Sequence, residues 1–365
     1  MLYQSFLKPL LFKMDPESAH EWAASLLASP LVRPLQRVYR GIWDRDFPEL
    51  ACQIGGLPIN HPIGLAAGFD KNAIMVRGLA QCGFAFMEVG TVTGQAQPGN
   101  PKPRLFRLPS DAALINRMGF NNQGCEAVAE RLATLRKKPL PLPIGGNIGK
   151  SKVVPNEQAV EDYLKSFRQL MPFVDFFVVN VSSPNTPNLR ALQDKGPLLE
   201  LLTQLQAEQK NNPKPLWLKI APDLNPSQLE DIVDVAHSCQ LSGVIATNTT
   251  IERSGLSTPM AQVEAMGAGG LSGKPLKQRA TDVIRFLRQH LANDQAIIGV
   301  GGIETGQDVF EKLQAGASAV QVYTGFIYGG PDFVFRLKKQ LLDQLHAHGM
   351  QNLGDLGPWI QTAKV

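Results

Sequence analysis

One stretch of this 365-residue chain sets reactive side chains at the end of a buried run. The apolar segment 176–181 turns abruptly polar at Ser182-Ser183-Pro184-Asn185-Thr186-Pro187. A parallel strand covered on both faces reads as such a run, and the Ser, Asn and Pro residues that follow cannot extend it. Chemistry then belongs at the strand's C-terminal end. An ordinary strand with a Pro-rich turn would read the same way, and repetition separates the two. Polar or glycine clusters close seven further apolar runs: Ala66-Ala67-Gly68-Phe69-Asp70-Lys71, Gly90-Thr91, Asn147-Ile148-Gly149-Lys150, Lys219, Thr247-Asn248-Thr249, Gly301-Gly302 and Tyr323-Thr324-Gly325.

The residue types constrain what such a site can hold. Asn116, Asn147, Asn180, Asn185 and Asn248 both donate and accept, which suits a planar ring of alternating N–H and C=O groups such as a flavin or a pyrimidine. Lys219 lies within Leu216-Trp217-Leu218-Lys219-Ile220-Ala221, where a buried ammonium is costly unless it meets an anion. It is a counter-charge for a reduced, anionic ring, or half of an interior ion pair. Lys71 holds a substrate carboxylate or pairs with Asp70. Glycine-rich loops at 269–273, 299–302 and 324–325 offer bare backbone N–H groups for a phosphate, or simply allow strand and helix to approach closely. No His, Cys and carboxylate cluster has metal-ligand spacing. No GxGxxG opens a βαβ unit, which disfavours a nicotinamide-binding Rossmann domain.

The elements that must position these groups follow from periodicity. Strand-like runs at 62–67, 84–92, 142–148, 176–181, 216–221, 243–247, 296–300 and 319–323 alternate with helical stretches near 72–82, 122–136, 156–171, 197–210, 226–239, 276–291, 305–315 and 331–347. Eight such pairs predict an α/β fold, a (β/α)8 TIM barrel whose strand ends converge on one face. A doubly wound open sheet is the alternative. The Pro-rich connection 94–121 is long enough to be a functional loop or lid.

Residues 1–45 are separate in character, forming an N-terminal helical extension; the barrel domain spans 46–347 and a tail 348–365. Asp15-Pro16-Glu17 starts a helix through Ala28. Leu31, Leu35, Val38 and Ile42 then form one helical stripe, and Arg33, Arg37 and Arg40 another. The apolar stripe packs on the main domain or lies on anionic lipid.

Bulk properties exclude several classes. At 44% hydrophobic and 19% charged the chain folds rather than staying disordered, and a net charge of +4 with scattered basic residues argues against a nucleic-acid partner. Cys52, Cys82, Cys125 and Cys239 lie apart, as reduced structural thiols do. Neither a signal peptide nor a membrane-spanning segment is expected.

Together the motifs at 64–71, 116–120, 180–185, 247–250, 270–273 and 299–303 resemble the dihydroorotate dehydrogenases, over residues 1–346. Asp15-Pro16-Glu17-Ser18-Ala19-His20 and Lys102-Pro103-Arg104-Leu105-Phe106-Arg107-Leu108 narrow the resemblance to the quinone-dependent, membrane-associated class. It implies an FMN-containing barrel that oxidises (S)-dihydroorotate to orotate in pyrimidine synthesis, passes electrons to a membrane quinone, and sits peripherally on the cytoplasmic side of the cell membrane. Ser183 matches the base that removes the C5 proton while the C6 hydride leaves for flavin N5; the cytosolic classes, which use fumarate or NAD, carry Cys there. A relay through Thr186 or water would assist it. FMN contacts fall on Ala67, Gly68, Phe69, Asp70, Lys71, Thr91, Asn147, Asn180, Lys219, Thr247, Gly273, Gly302, Tyr323 and Thr324. Substrate contacts fall on Lys71, Asn116, Arg117, Met118, Gly119, Phe120, Asn180, Asn185, Asn248 and Thr249. His20, Arg104 and Tyr323 match the quinone tunnel. A noncatalytic, membrane-attached barrel binding a phosphate ligand is the reading from another class.

Overall fold

Strands that are apolar on both faces must be covered on both faces, and the chain achieves this by closing a sheet on itself. The computed structural model describes residues 3–357 and 360. A short antiparallel hairpin, β1 (Cys52–Ile54) and β2 (Leu57–Ile59), precedes the sheet. Then follow β3 (Ile63–Asp70), β4 (Met87–Val92), β5 (Leu105–Leu108), β6 (Ala113–Asn116), β7 (Ile144–Ile148), β8 (Phe176–Asn180), β9 (Leu216–Ile220), β10 (Gly243–Ala246), β11 (Gly270–Gly273), β12 (Ala296–Val300) and β13 (Ala319–Val322). Strands β3, β4, β7, β8, β9, β10, β12 and β13 form a closed, parallel barrel in chain order. Closure rules out the doubly wound sheet, and each of the eight expected runs supplies one strand.

The lower half of the barrel is filled. Phe86, Phe176, Trp217, Ile245 and Ile298 pack into a plug, and Ile54 and Ile59 of the hairpin join it from below. Gly145 makes room for it: a Cβ there would lie 1.9 Å from the Phe176 ring. Above the plug the inward positions become polar, with Glu88, Asn147, Asn180, Lys219 and Gln321 all buried. That change of character creates the site.

The connection 94–121 is not a structureless lid. Its β5 and β6 pair with β11 into a three-stranded antiparallel sheet over the upper rim. This corrects the reading of 269–273 as a glycine-rich loop, because four of those residues are a strand. Small residues there allow close approach: Gly269 lies against the Asn116 carbonyl and Gly270 against Thr249.

The extension begins with a π-helical turn at Tyr3–Leu7 and continues as α1 (Lys8–Lys13), α2 (Pro16–Ala28) and α3 (Arg33–Trp43). Asp15 caps α2, accepting the Ser18 N–H at 2.9 Å. Its orientation is the reverse of ordinary amphipathic packing. Arg40 of α3 reaches Asp44 and the Ala80 carbonyl, whereas Leu31, Leu35, Val38 and Ile42 are 91%, 69%, 61% and 59% exposed. The apolar stripe therefore does not pack on the barrel. Beyond helix Phe333–Ala347, Met350 and Leu356 are buried in the main core.

Candidate active site

At the C-terminal ends of the strands a cavity with about 1160 Å³ of free space, counted out to its open mouth, occupies the barrel axis. Both Ser183, beyond β8, and Lys219, on β9, line it. So do Ala67, Gly68, Lys71, Thr91, Asn116, Met118, Gly119, Phe120, Asn180, Asn185, Thr247, Asn248, Thr249, Gly273, Gly302, Tyr323 and Thr324. Segments separated by more than 200 residues thus meet because the parallel barrel sends every strand's end to one rim.

Two cations face this space without a close partner. Lys219 is 4% exposed, and among the described residues nothing hydrogen-bonds or pairs with its ammonium, which removes the interior ion pair as its explanation. Lys71 also forms no ion pair with Asp70. Burial pushes its ammonium down to about 8, with Glu17 opposing and Arg104 reinforcing that shift. Unpaired ammonium groups at the edge of a cavity are suited to anionic ligands.

The Asn side chains form a connected set. Asn147 accepts from Thr91 Oγ1 at 2.6 Å, Asn180 donates to Thr91 Oγ1 at 3.0 Å, and Asn248 donates to Asn180 Oδ1 at 3.3 Å. From the rim sheet, Asn116 accepts from Asn185 at 3.1 Å. Ser183 is 6% exposed and its Oγ accepts the Asn185 N–H at 3.3 Å. The Thr186 hydroxyl is buried without a partner, so the anticipated relay is not a direct bond between these two hydroxyls.

Other expected contacts lie outside the cavity wall. Asp70 is buried and accepts the N–H groups of Asn72, Ile74 and Met75; its role is to shape the turn that presents Lys71. Burial raises its pKa, opposed by those N–H groups. Asn147 sits behind Thr91. Arg117 turns outward to the carbonyls of Met266 and Ala268 and stacks over Phe106. Arg104 is saturated: it holds Glu17 of α2 at 2.7 Å and the carbonyls of Pro98 and Asn100. Phe69 bridges the extension to the site, edge-on to His20 at 5.0 Å and to Tyr323 at 5.6 Å. Burial, assisted by Lys71, lowers His20 to about 4, and burial lifts Tyr323 to about 12, so both rings are neutral near pH 7.

Sequence reasoning passed over Glu88 and Gln321. Each is a polar residue set inside a buried, largely apolar strand, and that was the available signal. Gln321 lines the cavity, and its carbonyl oxygen is buried without a partner.

Comparison with known proteins agrees with this geometry. The dihydroorotate dehydrogenase family profile matches residues 49–345. The chain belongs to the dihydroorotate dehydrogenase family. A dihydroorotate dehydrogenase (quinone) of Christiangramia forsetii is 51% identical over 94% of this chain and 99% of its own length. One from Thermus thermophilus is 51% identical over 95% and 98%. Among solved structures, DHODH from Eimeria tenella in complex with ferulenol superposes with a TM-score of 0.85, at 39% identity over 94% of each chain. The barrel is thus that of a dihydroorotate dehydrogenase.

Proposed function

We propose that the chain oxidises (S)-dihydroorotate to orotate with FMN as cofactor and a membrane quinone as electron acceptor, in pyrimidine synthesis. The observation that carries the reading is the meeting of Ser183, Lys71 and Lys219 in one amide-lined cavity, within a chain of this family. The residues suit the flavin. Lys219 supplies an unpaired cation, and Gln321 supplies an unpaired acceptor. Gly302, at φ +70, cannot carry a Cβ, which would lie 2.4 Å from Lys277; its bare backbone, with Gly273 and Thr324, suits the phosphate. FMN, when bound, supplies the acceptor for the hydride leaving C6 and the link to quinone.

The chain's own groups do the rest. Lys71 holds the substrate carboxylate, while Asn116, Asn185, Asn248 and Thr249 orient the ring, with Met118, Gly119 and Phe120 closing over it. Ser183 Oγ takes the C5 proton. A serine is a poor base near neutrality, and the Asn185 N–H pointing at its oxygen favours the negative charge that develops there. Its own proton leaves through a water that the Thr186 hydroxyl, satisfied by no protein atom, is free to hold.

We also infer that residues 3–45 deliver the quinone. The exposed stripe of α3, continued by Leu10 and Phe6 at 62% and 67% exposure, suits the lipid interface, and His20, Phe69 and Tyr323 lead from it to the cavity. On this reading the protein sits peripherally on the cytoplasmic face of the cell membrane, and the exposed stripe supports membrane contact; no described helix is long and apolar enough to cross it. Purified protein is expected to be yellow and to bleach anaerobically when dihydroorotate is added. Colourless, unresponsive protein refutes the assignment and favours a noncatalytic binding barrel.

A further inference from the structure

Glu88 is a carboxylate sealed inside the barrel, 0% exposed, with no Lys, Arg or His bound to it among the described residues. Its two oxygens are instead met by amides. Asn147 Nδ2 donates to one at 2.7 Å, and Gln321 Nε2 donates to the other. Both oxygens act as acceptors, so both amides turn their NH2 groups inward.

That choice propagates. With its NH2 spent on Glu88, Asn147 must present Oδ1 to Thr91, at 2.6 Å, and to Asn180 Nδ2, at 3.4 Å. Asn180 then presents Oδ1 to the Ser182 N–H at 3.3 Å, the Ser182 hydroxyl at 3.1 Å and Asn248 Nδ2 at 3.3 Å. The result is a one-way series of donors running from the end of β8 to the barrel centre and terminating on Glu88. On the other branch, the NH2 of Gln321 points to Glu88, which leaves its oxygen as the orphaned acceptor of a residue lining the cavity.

We propose that Glu88 is a positioning residue. It is absent from the cavity wall, yet as terminal acceptor it sets which atoms of Gln321, Thr91 and Asn180 are offered to the ring that binds above them. The inference rests on the flavin reading.

Glu88→Gln tests it with almost no change of shape. The new amide accepts from one neighbour and confronts the other with a second NH2, so one neighbour must rotate. Rotation of Gln321 replaces its free oxygen by an NH2; rotation of Asn147 sets its NH2 against that of Asn180. Either inverts a donor–acceptor pattern at the cavity. The exchange Glu88→Gln with Gln321→Glu restores it: the position-88 amide accepts from Asn147 and donates to the carboxylate at 321, whose second oxygen again faces the cavity.

The readouts are the FMN dissociation constant by fluorescence titration, the visible spectrum of bound flavin, and Tm. The single variant is expected to bind FMN roughly 10- to 100-fold more weakly with a shifted absorption band, and the exchange to recover most of that loss. If the single variant is too unstable to purify, a yellow double variant supports the inference and a colourless one overturns it. A variant that differs only in Tm, with unchanged affinity and spectrum, or an exchange no better than the single change, also overturns it. Wild-type protein that binds no FMN would instead sink the functional reading itself.

Discussion

Lys71 offers the most quantitative test of the site. Its ammonium is pushed from 10.5 to about 8 by burial, the charge of Glu17 recovering some of that and Arg104 adding to it. That displacement disfavours the charged form by roughly 3 kcal/mol. An anionic substrate relieves that penalty, so dihydroorotate should bind with proton uptake near pH 8. In Lys71→Gln the charge-assisted bond disappears, and KM at pH 7 should rise roughly 10- to 150-fold, the equivalent of about 1.5–3 kcal/mol. The pH profile carries the sign. Below about 8 the lysine is charged and KM is flat; above it, log KM should climb toward one decade per pH unit, a slope absent from the variant. Stability moves the other way. The unfolded chain keeps this proton up to about 10.4, so between pH 8 and that value the unfolded state binds more protons and stability rises with pH. Below 8 the folded protein carries the full penalty, and the ligand-free variant should melt no lower than wild type at pH 7. An unchanged KM, or the same break near pH 8 in Lys71→Gln, refutes the reasoning.

Two further outcomes follow from the same geometry. Ser183→Ala should retain flavin but reduce it about 10²- to 10⁴-fold more slowly in single-turnover measurements; normal rates would move the base elsewhere. Deleting residues 1–45 should leave dihydroorotate-driven bleaching intact and abolish quinone turnover, since His20, the outer ring of the aromatic path, and the exposed stripe go with it. Sustained quinone turnover in that truncation would place the quinone site on the barrel.

Much of the architecture was legible because local and global signals agree. Apolar runs of strand length, helical stretches between them and a polar residue at each run's end leave few arrangements other than a barrel with an active rim. Ser183, Lys219 and the asparagines could be named because each breaks an apolar run at its C-terminal end. The functions of Asp70, Arg104 and Arg117 could not be read that way. Their types suit ligand binding, but three backbone N–H groups claim Asp70, Glu17 claims Arg104, and carbonyls beside β11 claim Arg117, all decided by what folds next to them. The small residues at 269–273 likewise fit a loop and a tightly packed strand equally well until β6 lies alongside.

Local sequence determined this protein's repeating strand and helix, its α/β class and the chemical character of its rim, because those depend on hydrophobic period and residue type over a few positions; closure of the sheet into a barrel was settled only by the pairing of β9 with β10 and of β13 with β3. Tertiary structure alone decided which way the α3 stripe faces, which lysines lack a partner, and that Glu88 terminates a line of amides. Each of these depends on partners brought together from distant parts of the chain, and no spacing within a single segment encodes it.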